Sequence, residues 1–341
     1  MTSQERPLVT FAVFAYNQEA YVREAVAAAM AQTYSPLEIL LSDDASSDST
    51  AAIVNEMARS YRGPHEIVVN INERNLGIGP HVNKLFALAR GELVVLAAGD
   101  DVSSAERTER LVSCWTSTVP RARAVHSAAA VVDSGGKPIG RYTSRLVDDG
   151  KTAKAVISHY RGAILIGASM AFDASIFRTF GPLRRKLPVE DIPLAARAAM
   201  LGRIGYLDED LVRYRLGIHA WVPNGGAADT FADYMRVRRF KARIDYLVAK
   251  QIMMDARKHG DARIIAMARA RLAEAKYVSG ISRHGRLQPL VLLGSITAAG
   301  RVWPCLAWTV LLCSSLAGRL YFYFSRRFRR RVDENAFRLA E

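Results

Sequence analysis

Four short runs of apolar and β-branched residues punctuate the first hundred positions: LVTFAVFAY (Leu8 to Tyr16), LEILLSDD (Leu37 to Asp44), HEIVVNI (His65 to Ile71) and ELVVLAAGDD (Glu92 to Asp101). Near-continuous apolarity over so few residues predicts strands buried on both faces. Between them QEAYVREAVAAAMAQT, DSTAAIVNEMARSY and GPHVNKLFALARG set apolar residues at helical spacing among good helix formers. The alternation predicts parallel crossovers and an open α/β sheet, mixed but mostly parallel, with helices on its faces. Ligands gather at the carboxyl ends of such strands. Each of these strands ends on polar residues: Tyr16 and Asn17, Asp43 and Asp44, Asn72 with Asn75, Asp100 and Asp101.

From Arg121 the pattern loosens. RARAVHSAAAVVDSGGKPIG reads as two strands around a Ser-Gly-Gly turn, expected as a hairpin added at the edge of the sheet. GASMAFDASIFRTFG gives a further apolar segment, and LPVEDIPLAARAAMLG a helix that opens on two acids and stops at Gly202. YLDEDLVRYRLGIHAW closes this part, and TFADYMRVRRFKARIDYLVAKQIMMDARK and DARIIAMARARLAEAKYVSG follow as two long, basic, amphipathic helices. The expected organisation is a domain over 1–225, with halves meeting near residue 120, a helical region over 226–286, and an apolar and basic tail over 287–341.

Within that tail, VWPCLAWTVLLCSSLAG (Val302 to Gly318) carries no charge, and LYFYF and RRFRRR follow. As a helix it would reach about 26 Å, short of the ~30 Å hydrocarbon core of a bilayer. A single crossing would carry the arginines away from a cytoplasmic domain, against their preference for that side. A re-entrant or shallow hairpin formed with Leu287 to Gly300 avoids the conflict and leaves Arg326, Arg327, Arg329, Arg330 and Arg331 on anionic headgroups. The other reading is a buried helix packed on the long helices before it.

Composition narrows the rest. Half of the 341 residues are hydrophobic, enough for a sizeable core, and Lys and Arg exceed Asp and Glu by 47 to 33, a formal charge of +14. Such a charge favours acidic partners without choosing among nucleic acid, anionic membrane and phosphorylated substrate. The basic residues crowd the predicted helices and the tail with no aromatic-interleaved motif, so nucleic acid is not expected as a partner. The opening MTSQERPLV lacks the basic and apolar regions of a secretory signal, which places the bulk of the chain in the cytoplasm. Cys114, Cys305 and Cys313 have neither disulfide-framework nor zinc-site spacing.

The acids carry the chemistry. Asp100 and Asp101 follow a strand beside Gly99, where a backbone without a side chain allows close approach of a ligand, and paired carboxylates there suit a divalent cation bridging a diphosphate. Alone, such a pair reads equally as a helix start. Asp43-Asp44 and Glu190-Asp191 have equally ordinary readings as a turn and a helix N-terminus.

Together the motifs are specific. PLVTFAVFAYNQEAYVREAVAAAMAQTYSPLEILLSDDASSDST, NERNLGIGPHVNKLFALARGELVVLAAGDD and GASMAFDASIFRTFG with VEDIPLAARAAMLG closely resemble, in order and interval, the family 2 glycosyltransferases of the GT-A fold, over roughly Pro7 to His219. The resemblance implies an inverting enzyme that moves a sugar from a nucleotide diphosphate donor to an acceptor hydroxyl. It implies that Ala15, Tyr16, Glu19, Asp43 and Asp44 hold base and ribose, that Asp100 lies near the ribose, that Asp101 binds Mn2+ or Mg2+ in place of a DxD motif, and that Asp191 is the catalytic base, with Glu190 beside the acceptor. Asn75 and Lys84 match a segment that packs near the nucleotide in the family, and His81 shares it. His219 corresponds to a metal or diphosphate ligand that follows a Tyr-Arg pair in relatives, but here it stands farther from Arg215 than the usual pattern. Trp221 is a candidate to stack on an acceptor sugar.

The expected partners are a nucleotide diphosphate sugar, a glycan or lipid-linked acceptor of cell-surface polysaccharide synthesis, and the anionic cytoplasmic face of the membrane, with peripheral or re-entrant attachment. The competing reading is a sugar-nucleotide-binding or membrane scaffold protein without turnover, which would keep the pocket acids but not the base.

Overall fold

The structure, a computed structural model, describes residues 6–143, 156–157, 166–216 and 230–284. It divides into two compact units, Met1–Leu216 and Gly217–Glu341.

The first unit is built on a nine-stranded sheet among the described residues, in the order β3-β2-β1-β4-β8-β6-β9-β5, with β7 paired to β6. β1 (Val9–Ala15), β2 (Leu37–Asp43), β3 (Glu66–Ile71) and β4 (Leu93–Ala98) are parallel and alternate with α1 (Val22–Met30), α2 (Thr50–Ser60) and α3 (Ile78–Leu88). The apolar runs therefore become strands as the pattern predicts. β1 and β2 are buried almost throughout because helices cover both faces, whereas β3, at the edge, exposes Glu66, Val69 and Ile71. Val9, Phe11, Val13, Ile39, Leu41 and Val95 point to one face, packed under α1 and under Trp115 of α4 (Arg107–Ser117).

The remaining strands run both ways. β5 (Val102–Ser103) pairs antiparallel with β9 (Ile204–Arg215); β8 (Met170–Asp173) is antiparallel to β4; β6 (Ala124–Val132) is antiparallel to β8 and parallel to β9. The hairpin of β6 and β7 (Pro138–Tyr142) exists, but it is not added at the sheet's edge. β6 lies inside the sheet, Ala124 pairing with Phe172 on one side and with Ile204 on the other. Its small residues, Ala124, Ser127, Ala128 and Ala129, are all fully buried, as an interior strand requires. α5 (Ser175–Phe180) and α6 (Asp191–Leu201) complete the unit; α6 begins on the second of the two acids and ends at Gly202.

In the second unit α7 (Phe231–His259) and α8 (Ala262–His284) pack against each other. Thr230 and Asp233 form a reciprocal capping box at the start of α7, and Gly260, in the left-handed region at φ 87°, stops it. No helix among the described residues is long and apolar enough to cross a membrane. The tail from residue 287, with the Val302 to Gly318 run, lies outside the described residues, as do His219 and Trp221.

Candidate active site

The register brings the strand ends together. Ala15 pairs with Asp43, Phe14 with Ala98, and Asp43 with Ile71, so Tyr16, Asp44, Asn72 and Asp100 emerge along one rim of the sheet. Two loops meet there. Asn17, at φ 51°, donates its backbone N–H to Ser46 Oγ (2.8 Å) and accepts from the Ser47 N–H at Oδ1 (2.8 Å). Asparagine tolerates this left-handed conformation better than a branched residue would. Glu19 accepts from the Ser49 N–H (2.8 Å), and its own N–H donates to Asp48 (3.1 Å). The DDASSD run and the YNQE run are thus laced into one rim, with the Tyr16 ring exposed above it.

The two aspartates at the end of β2 behave differently. Asp43, fully buried, accepts from the Ser46 N–H (2.8 Å) and from its hydroxyl. Asp44 accepts three hydrogen bonds, from Asn72 Nδ2 (2.8 Å) and from the backbone N–H groups of Leu76 (2.9 Å) and Gly77 (2.9 Å). Its carboxylate therefore secures the 72–77 turn. His81 is buried beneath, with Nε2 2.6 Å from Ser42 Oγ and its ring edge-on to Phe14; burial lowers its pKa, against the attraction of Asp44 and Asp43. Asn75 and Lys84 are both exposed, on the turn and on α3. It is the buried Asn72, the residue just after Ile71 at the end of β3, that reaches Asp44.

Asp100 and Asp101 form the turn after β4. The Gly99 N–H continues the sheet to Phe14 O (3.0 Å), but the space over Gly99 is not left open for a ligand. A Cβ there would lie 2.6 Å from Gln18 Oε1 and 2.8 Å from Ala15 Cβ, so the glycine serves packing between β1 and β4. Asp101 is buried and accepts from the Arg215 N–H at Oδ1 (2.8 Å); among the described residues its second oxygen takes no hydrogen bond. Burial and the neighbouring Asp100 raise its pKa well above the carboxylate range, while the Arg215 N–H and the charges of Arg107 and Arg215 act in the other direction.

Two arginines that the sequence does not mark as site residues sit around this pair. Arg215 stacks its guanidinium over Tyr21 at 4.5 Å and donates to Asp100 O (3.0 Å), Ser134 O (2.9 Å) and Glu24 (3.2 Å), joining α1, the β4 turn and the β6–β7 turn. Arg107, fully buried on the first turn of α4, donates to Ser103 Oγ (2.9 Å), Leu96 O (2.9 Å) and Met170 O (3.5 Å). Burial pulls its pKa down to about 9, against the charge of Asp101, so it remains a cation at neutral pH. In sequence each is one more arginine of a basic chain; the Tyr-Arg pair before His219 was the one available signal.

The third acid pair opens α6. The N–H of Ile192 donates to Asp191 Oδ1 (2.7 Å), and the Gly167 N–H also holds this carboxylate. A Cβ on Gly167 would stand 2.5 Å from Glu190 Oε1. Both acids keep partial exposure to solvent. Burial, joined by Asp191, raises Glu190 to about 8; burial raises Asp191 to about 6, the backbone N–H groups at the helix start opposing it. Tyr214 connects this pair with the first. Its hydroxyl pKa is raised by burial and then by the charges of Asp101, Asp100, Asp191 and Glu190, so all four carboxylates lie within electrostatic reach of one phenol.

The donor set fits a hard divalent cation. Two adjacent carboxylates, one with an uncommitted oxygen, provide oxygen ligands at a strand end, and no cluster of three or more His, Cys, Asp or Glu is poised for a metal among the described residues. A cation held by two acids would draw its other ligands from water and phosphate, as Mg2+ commonly does.

The family model for glycosyl transferase family 2 matches residues 10–177. A protein of Mycobacterium tuberculosis is 39% identical over 87 residues, 25% of this chain and 25% of that protein, so the chain spans about a quarter of that relative's length. The provisionally assigned glycosyltransferase EpsE of Bacillus subtilis is 27% identical over 213 residues, 61% of this chain and 73% of EpsE. Among solved structures, a mannosyltransferase from Pyrobaculum calidifontis in complex with GDP-Man and Mn2+ shares the fold, with a TM-score of 0.53 at 19% identity over 93% of this chain and 87% of that one.

Proposed function

From the premise that residues 10–177 make this chain a member of glycosyl transferase family 2, we propose that it transfers a sugar from a nucleotide diphosphate donor to an acceptor hydroxyl with inversion at the anomeric carbon. The observation that carries this reading is the convergence of Asp100-Asp101 and Glu190-Asp191 on Tyr214. One pair faces the leaving diphosphate and the other the acceptor.

Ala15, Tyr16, Glu19 and Asp43 line the nucleotide side, and Asp44 supports them by fixing the 72–77 turn. Asp100 and Asp101 would hold Mn2+ or Mg2+, the ion found with the mannosyltransferase being Mn2+. When bound, the ion supplies positive charge against the departing diphosphate. Asp191 takes the proton of the acceptor hydroxyl as its oxygen forms the bond to the anomeric carbon, and the bond from that carbon to the diphosphate oxygen breaks with its electron pair leaving on phosphate. The backbone N–H groups of Ile192 and Gly167 orient Asp191 for this. Its pKa, raised toward neutrality, makes it a stronger base than an ordinary carboxylate. The acceptor in this reading is a lipid-linked glycan of cell-surface polysaccharide synthesis on the cytoplasmic membrane face, supported by the charge-free Val302 to Gly318 run and the arginines after it.

The test is nucleotide diphosphate release across a panel of donors, with Mn2+, with Mg2+ and with chelator. Turnover that requires a divalent ion, is abolished in Asp191→Asn and leaves donor affinity in that variant within twofold of the parent is the expected result. Donor binding without turnover under every condition would instead support a sugar-nucleotide-binding protein.

A further inference from the structure

The second unit sorts its charges in a way the sequence does not display. At about 100° per residue, Arg236, Arg239, Arg243, Lys250 and Arg257 fall on one arc of α7, Arg239 and Arg257 being about five full turns apart. The buried Tyr234, Val237, Ile244, Val248 and Ile252 fall on the opposite arc. No acid of α7 lies on the cationic arc. Asp233 sits at its border, where it caps the helix and pairs with Arg236 at 2.9 Å. Asp245 pairs with the buried Arg271 of α8 at 3.4 Å, Glu274 pairs with the same arginine at 3.5 Å, and the buried Asp255 accepts from Gln251. Over Ala262 to Gly280 of α8 the exposed ionisable side chains after the Asp261 cap are Arg263, Arg269 and Lys276. The acids are spent within the pair of helices, on their caps, on Gln251 and on the buried Arg271, while Arg239, Arg243 and Arg257 are exposed.

We propose that this arc of α7 docks on anionic lipid headgroups. Its uncharged members favour a bilayer over the phosphates of a nucleic acid. Met254 is 43% exposed on the same arc, and Lys250 lies over the Tyr246 ring at 5.6 Å. Cationic heads with aliphatic and aromatic surface between them suit the boundary of headgroup and acyl chain. The charge-free Val302 to Gly318 run, farther along the same unit, is a second element of the same preference. The inference rests on the membrane part of the proposed function and gives it a specific surface.

Each arginine at such a surface contributes about a fivefold factor in partition, so removing three weakens binding by about a hundredfold. The experiment is sedimentation of the full chain with phosphatidylglycerol-containing vesicles and with pure phosphatidylcholine vesicles, for the parent and for Arg239→Gln/Arg243→Gln/Arg257→Gln. Circular dichroism melts that coincide establish that the exposed changes leave the fold intact. The expected result is binding of the parent to anionic vesicles only, about a hundredfold loss in the variant, and unchanged nucleotide release from the donor in detergent. A variant that binds anionic vesicles as the parent does overturns the assignment to α7 while leaving a membrane protein. Equal binding of the parent to both vesicles, or a preference for duplex RNA over vesicles, overturns the electrostatic docking. A parent that ignores both vesicles removes the membrane part of the proposed function together with this inference, and the donor assay then still reads the transferase separately.

Discussion

Asp44→Asn distinguishes a residue that touches the donor from one that shapes the pocket. The buried carboxylate accepts from Asn72 Nδ2 and the Leu76 N–H at one oxygen and from the Gly77 N–H at the other. An asparagine that keeps its oxygen toward Asn72 and Leu76 turns its NH2 group against the Gly77 N–H, donor against donor. The variant loses one hydrogen bond to a charged group, about 1.5–3 kcal/mol, and weakens the other two by removing their charge, for a total of about 3 kcal/mol. For a unit of this size each kcal/mol moves the midpoint by about 2–4 °C, so a drop of roughly 6–12 °C is expected. Differential scanning calorimetry measures it, and limited proteolysis reports opening of the 72–77 turn. Nucleotide affinity should fall only as far as that turn loosens, and added nucleotide should restore part of the midpoint. An unchanged midpoint with affinity reduced a hundredfold would refute the anchoring role and make Asp44 a direct contact.

Three further outcomes follow from the same geometry. Glu190 is raised to about 8, above the ordinary value near 4.3, so the folded chain holds a proton there that the unfolded chain gives up; this stability is fully present below about pH 4, declines as pH rises, and is lost by about pH 8. Thermal midpoints across that range should fall in the parent and fall less in Glu190→Gln; identical slopes would contradict the raised value. With Asp191 raised to about 6, kcat should decline below about pH 6 as the base is protonated, and a profile flat down to pH 5 would argue against its role. Gly99→Ala sets a Cβ 2.6 Å from Gln18 Oε1 and should cost about 1–3 kcal/mol by overpacking, with nucleotide affinity reduced through the Asn17 to Glu19 loop; a neutral effect in melts and titration calorimetry would contradict the tight contact.

The parallel strands and their helices are legible in the sequence because a strand buried on both faces has to be apolar along its length, and LEILLSD and ELVVLAA are. The place of β6 is not legible, since it depends on Phe172 and Ile204, distant in sequence, pairing with Ala124 from either side. Positions 99 and 44 show the same limit at the site. A glycine beside two acids suggests room for a ligand, but Gln18 from another loop fills that room. An aspartate after a strand suggests a ligand contact, but the donors that occupy it come from residues 72–77. Arg107 and Arg215 were hidden by composition: among 47 basic residues nothing marks two as buried until α4 and β9 close around the β4 turn.

Asn83 on α3 and Leu183, in the stretch before α6, exchange two hydrogen bonds, Nδ2 to O at 2.8 Å and N–H to Oδ1 at 2.7 Å, and the Gly79 N–H adds a third to Leu187 O at 3.2 Å. α3 is therefore riveted to the segment that leads into α6 and delivers Asp191. On the proposed function, the gap between leaving group and base is then a fixed dimension of the first unit, like the jaw of a gauge. On the same reading, acceptors of different length or branching would be accommodated beyond the reacting hydroxyl, by segments outside this rivet, and changes of acceptor preference could accumulate there without resetting the alignment of the transfer itself.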